Sequence, residues 1–468
     1  MNSTERVVNS PSGEMKVFNT LTGRKEGFHP GNRVVAMYVC GITAYDECHI
    51  GHAMTYIIFD VVKRYLRFKG YEVKHVQNFT DVDDKIIERA NQLGVPPAEL
   101  ASKYTDRYFA TMDALNVQRA DVYPRATEEI PKIIEIIQGL FAKGYAYEFQ
   151  GSVYFRVKNF PDYGKLSHRN LAEMIPKAGY CERNKEYPLD FALWKASKLG
   201  EPFWDSPWGQ GRPGWHIECS AMALKYLGNT IDIHGGGQDL VFPHHENEIA
   251  QSESFTQQIP FVRYWLHNGL MQQDKQKMSK SIGNLVCVED ALDQSGSDAI
   301  RLFILGSHYR SPLTYSEQAL EASQKGAERL RSALMHRTSA EERAAVLNAE
   351  PFEKKFVEAM DDDFNTAQAI AVLFELAKEI NRGAEGGMHI TEAQHILLKL
   401  AGVLGLTLKE KTQPTPDAEA FVGLLASIRD DLRQNRQWQL ADRIRKGLAD
   451  LGVTLEDTPE GTRWKYRT

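Results

Sequence analysis

The 468-residue chain holds only five cysteines, at positions 40, 48, 181, 219 and 287. An odd number so widely scattered is no disulfide framework; it fits a reducing compartment in which thiols stay available for other work. No run of 18 apolar residues occurs, so no membrane span is expected. The opening stretch MNSTERVVNSPSGEM lacks the apolar core of a secretory leader. Excess basic charge is missing too: the net charge of −6 argues against unspecific coating of DNA, yet leaves room for a local basic surface. What is present is an ordinary composition, 42% hydrophobic and 25% charged, at a length that suits two to four domains.

Residues 33–39, RVVAMYV, read as a buried strand, because a short apolar run rich in β-branched residues fits one. It leads into CGITAYDECHIGHAM and a helix whose stripe Ile57, Val61 and Tyr65 ends before Gly70. YEVKHVQNF gives the next strand, and strand, loop, helix, strand is a βαβ unit of a parallel sheet. Ligands of such sheets bind beyond the carboxyl ends of the strands, where CGIT, HIGH and NFTD fall. Prolines 124, 161, 176, 188, 202, 207 and 213 then punctuate short strands and turns, and the α/β pattern restarts at NTIDIHG, residues 229–235. Beyond residue 315 the chain turns helical, with one stripe at Phe352, Phe356 and Met360 and another at Ile370, Phe374 and Ala377. Thr391 with Gln394 predicts a capping box opening a helix that reaches about Leu406. KEKTQPTP, residues 409–416, reads as a linker to a small last module.

Chemistry-bearing residues gather in three places. In FPHHENEIAQS, residues 242–252, Pro243 suits the first turn of a helix. His244 and Glu248 then stand one turn apart on a shared face, where an imidazole and a carboxylate can reach one metal ion. The same pattern fits a polar helix start with acids well placed on the dipole; sulfur donors from elsewhere would decide for the metal. His245 and Glu246 point elsewhere on that helix; they fit groups supporting a metal ligand, but read first as surface residues. HIGH, His49 to His52, sits where loop becomes helix, so imidazoles and helix terminus face an anion together, and Gly51 leaves room for a flat base. KMSKS, Lys277 to Ser281, puts two lysines on a loop suited to a polyphosphate, although alone it equally fits a solvated basic loop. DVDD, residues 81–84, reads as a helix start with favourable charges.

HIGH followed by KMSKS on a split parallel sheet resembles the class I aminoacyl-tRNA synthetases. The longer strings MYVCGITAYDECHIGH, NFTDVDDKII, RPGWHIECSAM, DIHGGGQDLVFPHHENEIAQS and MDDDFNTAQA resemble the cysteinyl-tRNA synthetases, through nearly the whole chain. The resemblance implies ATP-dependent formation of cysteinyl adenylate and transfer of the acyl group to the 3′ end of tRNA-Cys. It implies that His49, His52, Lys277 and Lys280 carry the catalysis, and that Gly51, Gly235, Gly236, Gly237 and Asp239 join them around ATP. Gly41, Thr43, Thr80, Trp215 and His234 would line the cysteine pocket. One zinc ion per chain would sit on Cys40, Cys219, His244 and Glu248, and Mg²⁺ would accompany ATP, while Cys48, Cys181 and Cys287 would be structural. The chemistry is coherent. Adenylate formation is an in-line displacement that needs positioning and charge neutralisation, with no protein nucleophile. A zinc ion favours sulfur over a hydroxyl, whereas a pocket of shape alone separates such analogues by only about 10²-fold.

The implied architecture is α/β. A split Rossmann-like catalytic domain in two halves, 1–120 and 214–314, surrounds a connective insertion, 121–213; a helical tRNA-stem-contacting bundle, 315–408, and a small anticodon-binding domain, 417–468, follow. In the last, Arg463, Trp464, Lys465 and Arg467 combine an aromatic face with positive charge, the mix that stacks an unpaired base and holds its phosphates. A cytoplasmic monomer that binds ATP, L-cysteine and tRNA, but no DNA and no membrane, is expected. Two other readings stay open: a cysteine:amino-sugar ligase of the same ancestry, which lacks such a C-terminal module, and an inactive RNA-binding paralogue, which would have lost HIGH, KMSKS or a zinc ligand.

Overall fold

The computed structural model describes residues 14–170, 185–273, 276–277, 285–338, 344–409, 418–458 and 461–466. Antiparallel β1 (Lys16–Asn19) and β2 (Arg24–Gly27) precede β3 (Val34–Val39), helix α1 (Ile50–Phe68) and β4 (Glu72–Gln77), the expected βαβ unit. Helices α2 (Asp84–Leu93), α3 (Pro97–Ala114) and α4 (Ile130–Ala142) lead to an antiparallel sheet of β5 (Ala146–Phe149), β6 (Ser152–Phe155), β7 (Phe191–Ala196) and β8 (Gly211–Pro213). Helix α5 (Trp215–Leu227), β9 (Ile231–Gly237), a π turn over Val241–His245, α6 (Glu246–Thr256) and β10 (Val262–Asn268) complete the central sheet. Its order is β10-β9-β3-β4, parallel throughout. The chain leaves β3 toward β4 on one side and β9 toward β10 on the other. A crevice opens where the winding reverses, at the carboxyl ends of β3 and β9.

Two expectations about the insertion need correction. Residues 121–125 still run beside β4: Asp121 N–H donates to the His75 carbonyl and Phe79 N–H to that of Pro124. The first half of the sheet therefore extends past residue 120. The insertion also opens with α4, whose IPKIIEIIQGLFA buries Ile133, Ile136, Ile137 and Leu140. Its helical period is present in the sequence, with Lys132, Glu135 and Gln138 three apart opposite the buried stripe, but the prolines around it masked the pattern.

Short strands β11 (Met271–Gln273) and β12 (Gln276–Lys277), then α7 (Val288–Ser295), α8 (Ser297–Leu305) and β13 (Leu313–Thr314), carry the chain to the bundle. The bundle comprises α9 (Glu317–Met335), α10 (Glu350–Asp361), α11 (Thr366–Glu385) and α12 (Thr391–Val403). The predicted capping box does not form, because Ile390, not Thr391, precedes the first turn of α12. The Gln394 amide instead donates to the carbonyls of Ala333, Leu334 and His336, satisfying the open end of α9.

Bundle and sheet share one core through a buried arginine. The Arg301 guanidinium, fully buried, donates to Asp60 on α1 at 2.5 Å and to the carbonyls of Leu115 and Leu404 at 3.0 and 2.9 Å. Gly405, at φ +70°, leaves the space: a Cβ there would stand 2.0 Å from Arg301 Nη2.

Residues from Lys409 onward form a second compact unit. Helices α13 (Ala418–Gln434) and α14 (Trp438–Asp450) pack on a hairpin of β14 (Val453–Thr458) and β15 (Gly461–Tyr466), around Val422, Ala426, Leu448, Val453 and Leu455.

Candidate active site

A cavity of about 650 Å³ lies at the carboxyl ends of β3, β9 and β10. Its wall includes the expected Gly41, Thr43, His49, Gly51, His52, Gly237 and Asp239, joined by Lys85, Asn268 and Met271. His49 and His52 open α1 as a reciprocal cap: each ring Nδ1 accepts the other's backbone N–H, at 3.3 and 3.4 Å. In a neutral ring the proton then sits on Nε2. The rings stack at 3.6 Å over Gly51, where a Cβ would meet His49 Nδ1 at 2.9 Å. The glycine of HIGH is thus required by the folded-back histidine itself. At Gly41 a Cβ would fall 1.5 Å from the Asn78 carbonyl oxygen, so only glycine lets β3 end there.

Cys40 joins this cavity to a buried cluster of donors. Cys40 follows β3, Cys219 lies on α5, His244 in the π turn and Glu248 on α6. Cys40 Sγ stands 3.8 Å from Cys219 Sγ and 3.6 Å from Glu248 Oε1, and His244 Nε2 stands 3.1 Å from the same oxygen. Ligands about 2.0–2.3 Å from a tetrahedral ion are about 3.3–3.8 Å apart, so these separations are close to edges of a metal tetrahedron. Residues from three separate segments, two thiols, an imidazole and a carboxylate, converge as a zinc-type donor set.

The cluster is strongly polarised. Burial pushes the Cys40 thiol well up, while the hydrogen bond from Cys40 draws Cys219 down to about 6. Burial also opposes charge on His244 and Glu248, but Cys219 and Glu248 raise His244 to about 10, and His234 with His244 hold Glu248 at about 2. Anionic sulfur and carboxylate face an imidazolium, the balance that a divalent cation takes over.

Several residues lie elsewhere than expected. His245 is fully buried rather than superficial, with Nε2 3.3 Å from Cys40 Sγ, and belongs to the close group Cys40, His244, His245 and Glu248. Its Nδ1 meets His267 Nε2 at 2.7 Å, and His267 Nδ1 meets Thr20 Oγ1 at 2.8 Å. Burial holds His245 and His267 below their ordinary range, His267 at about 3, so both are neutral. Thr20, His267, His245 and the Cys40 sulfur thus form one hydrogen-bonded chain. Glu246, also buried, accepts from the backbone of Gly164 and Ser167. Sequence periodicity missed this because the whole segment HHENE is buried, with polar partners replacing solvent. The signal available was the unbroken buried strand YWLHN, which delivers His267 to the same strand ends.

Thr80 and His234 stand behind the cavity wall: Thr80 donates to Glu218 at 2.9 Å, and His234 Nε2 lies 2.8 Å from Glu248 Oε2. Trp215, 37% exposed, stacks on His244 at 4.3 Å. Gly235 and Gly236 do not line the cavity; they make room for the rings of Phe59 and His245. Asp83, of the acidic run, caps α2 through the Lys85 N–H. Lys277 has its backbone on β12, but its side chain, those of Arg463 and Lys465, and all of Lys280, Arg467 and Cys181 lie outside the described residues. Trp464 is half-buried against the core of the C-terminal unit.

The family model for the class I (C) tRNA synthetase catalytic domain matches residues 28–325, and that for the DALR domain matches 355–409. Fold and catalytic-domain match together define a class I aminoacyl-tRNA synthetase. A structure of Mycobacterium tuberculosis methionyl-tRNA synthetase in complex with methionyl-adenylate shares the fold, with a TM-score of 0.56 at 16% identity over 80% of this chain and 88% of that one. The cysteine–tRNA ligase of Dehalococcoides mccartyi is 55% identical over 97% of this chain and 100% of its own length. That of Thermodesulfovibrio yellowstonii is 48% identical over 97% and 100%. The chain belongs to the cysteine–tRNA ligase family.

Proposed function

We propose that this protein activates cysteine with ATP, forming cysteinyl adenylate and pyrophosphate, and then passes the cysteinyl group to the terminal ribose of tRNA-Cys. The observation that carries this reading is the opening of the donor cluster, through Cys40, into the cavity that His49 and His52 line. The carboxylate of cysteine attacks the α-phosphorus; an acyl O–P bond forms as the bond to pyrophosphate breaks. Nε2–H groups of His49 and His52 donate to phosphate oxygens as negative charge shifts to the leaving group. Lys277 and Lys280 neutralise the pyrophosphate, assisted by Mg²⁺ carried in with ATP. Gly237 admits the nucleotide close to the backbone, and Asp239 accepts from ribose hydroxyls.

Cys40, Cys219, His244 and Glu248 would hold one zinc ion, which would supply a sulfur-preferring Lewis acid able to favour the thiol of cysteine over the hydroxyl of serine. His245 orients the Cys40 sulfur from behind, and Trp215, stacked on His244, shields the pocket mouth. In the C-terminal unit Trp464 and its basic neighbours bind the anticodon. The protein works as a cytoplasmic monomer.

The test is charging of total tRNA by the purified protein with labelled cysteine, with serine as control. Cysteine is charged and serine is not. Charging of neither, with no cysteine-dependent ATP–pyrophosphate exchange, would overturn the reading.

A further inference from the structure

MDDDFNT, residues 360–366, takes no part in the chemistry above, yet its three aspartates reach three different segments. Asp361 accepts from Tyr65 and Lys69 at the end of α1, Asp362 pairs with the exposed Lys25, and Asp363 is fully buried. Asp363 Oδ1 accepts from the Phe18 N–H at 2.8 Å and from the Tyr309 hydroxyl at 2.9 Å; Oδ2 accepts from Arg310 Nε at 2.8 Å, with His308 Nε2 at 3.5 Å. Its own N–H donates to Lys16. The backbone pays for this placement with φ of +64° at Asp363 and +51° at Phe364, a region that bulky residues avoid. Surroundings must over-determine such a conformation for it to persist.

Both segments gripped by Asp363 end on the same strand. The β1 segment runs beside β10: Thr20 N–H donates to the Trp265 carbonyl, and the Asn19 amide to that of Arg263. Residues 309–315 are laced to the continuation of β10. Gly269 N–H donates to Tyr309, Leu313 N–H to Leu270 and Tyr315 N–H to Gln272. At Gly269 a Cβ would come 2.2 Å from the Ser311 carbonyl oxygen, so the two backbones touch. Asn268, Gly269, Leu270 and Met271 form one wall of the cavity. Asp363 thus holds that wall from two sides, although it belongs to the region matched by the DALR domain and the wall to the catalytic domain.

We infer that Asp363 is a positioning residue for adenylate formation, setting the 268–271 wall against the His49–His52 side through Phe18 and Tyr309–Arg310. This inference rests on the proposed cysteine activation. A wall out of register costs transition-state contacts, whereas Asp363 touches none of Cys40, Cys219, His244 and Glu248, so the main effect falls on kcat.

The experiment compares wild type, Asp363→Asn, Tyr309→Phe and a Lys25→Ala control in cysteine-dependent ATP–pyrophosphate exchange, per folded molecule, alongside backbone hydrogen exchange of residues 269–273. Asp363→Asn lowers kcat at least tenfold with KM for cysteine within twofold, and speeds amide exchange at Gly269. Tyr309→Phe, which removes one hydroxyl and is the milder change should Asp363→Asn not fold, lowers kcat about threefold. Lys25→Ala changes neither. Wild-type kcat and unchanged exchange at Gly269 in folded Asp363→Asn, or in Tyr309→Phe if it alone folds, would overturn the inference. Absence of cysteine-dependent exchange in the wild type would instead reject the activity, and the Gly269 amide would still report the mechanical link.

Discussion

Cys40 sits among more donors than a tetrahedral ion can use, since Cys219, His244, His245 and Glu248 all approach the same point. Their other contacts separate them. His245 is tied through its second nitrogen to His267, a typical outer partner that fixes ring and tautomer. Cys219 offers a second sulfur 3.8 Å from that of Cys40, the softer donor of the two candidates for the last position. Cys219→Ala is therefore expected to lose the bound zinc, whereas His245→Gln keeps about one ion per chain and binds it about 10–100-fold more weakly. Metal analysis of both purified variants after dialysis checks this. Of these residues the sequence pointed to His244 and Glu248 through helical spacing alone. Cys40 and Cys219 were within reach only through resemblance, because no local pattern joins residues 179 positions apart. His245 was misjudged for the same reason: burial is decided by what packs on α6 from elsewhere.

Elements were legible where one face was apolar and the other wet. β3, α1 and β4 carry strong patterns and stand where the sequence put them; α4 carries as clear a stripe, but the prolines around it masked the period. The join between bundle and sheet was wholly invisible, since it depends on one buried arginine meeting the carbonyls of Leu115, Asn116 and Leu404 and the carboxylate of Asp60. Gly405→Ala tests that join. A methyl group driven into the Arg301 guanidinium, at a left-handed φ, is expected to cost about 3 kcal/mol or more. Urea unfolding followed by circular dichroism measures it, and a loss below about 1 kcal/mol would mean that Arg301 is not held as tightly as its hydrogen bonds suggest. Gly402, with nothing near its missing side chain, serves as the control for the same substitution.

The molecule as a whole divides at residue 409, and the two units have separate cores. The cavity and donor cluster lie entirely in the first. A chain ending at Leu408 is expected to retain cysteine-dependent ATP–pyrophosphate exchange within about threefold, yet to charge tRNA at least 100-fold more slowly. Exchange and charging assays on the same preparation separate the two activities. The donor cluster also carries a consequence in time. Glu248 follows Cys40 by 208 positions. At a ribosomal pace of about 5–20 residues per second, roughly 10–40 s pass between the synthesis of the first ligand and the last. For most of that interval the nascent chain carries a thiol that lacks its neighbour β9 and the sulfur of Cys219, open to oxidation and to the wrong metals. If the proposed zinc is held there, its scarcity would spare translation of the polypeptide itself and strike at its completion, leaving full-length chains whose substrate pocket never closed around an ion.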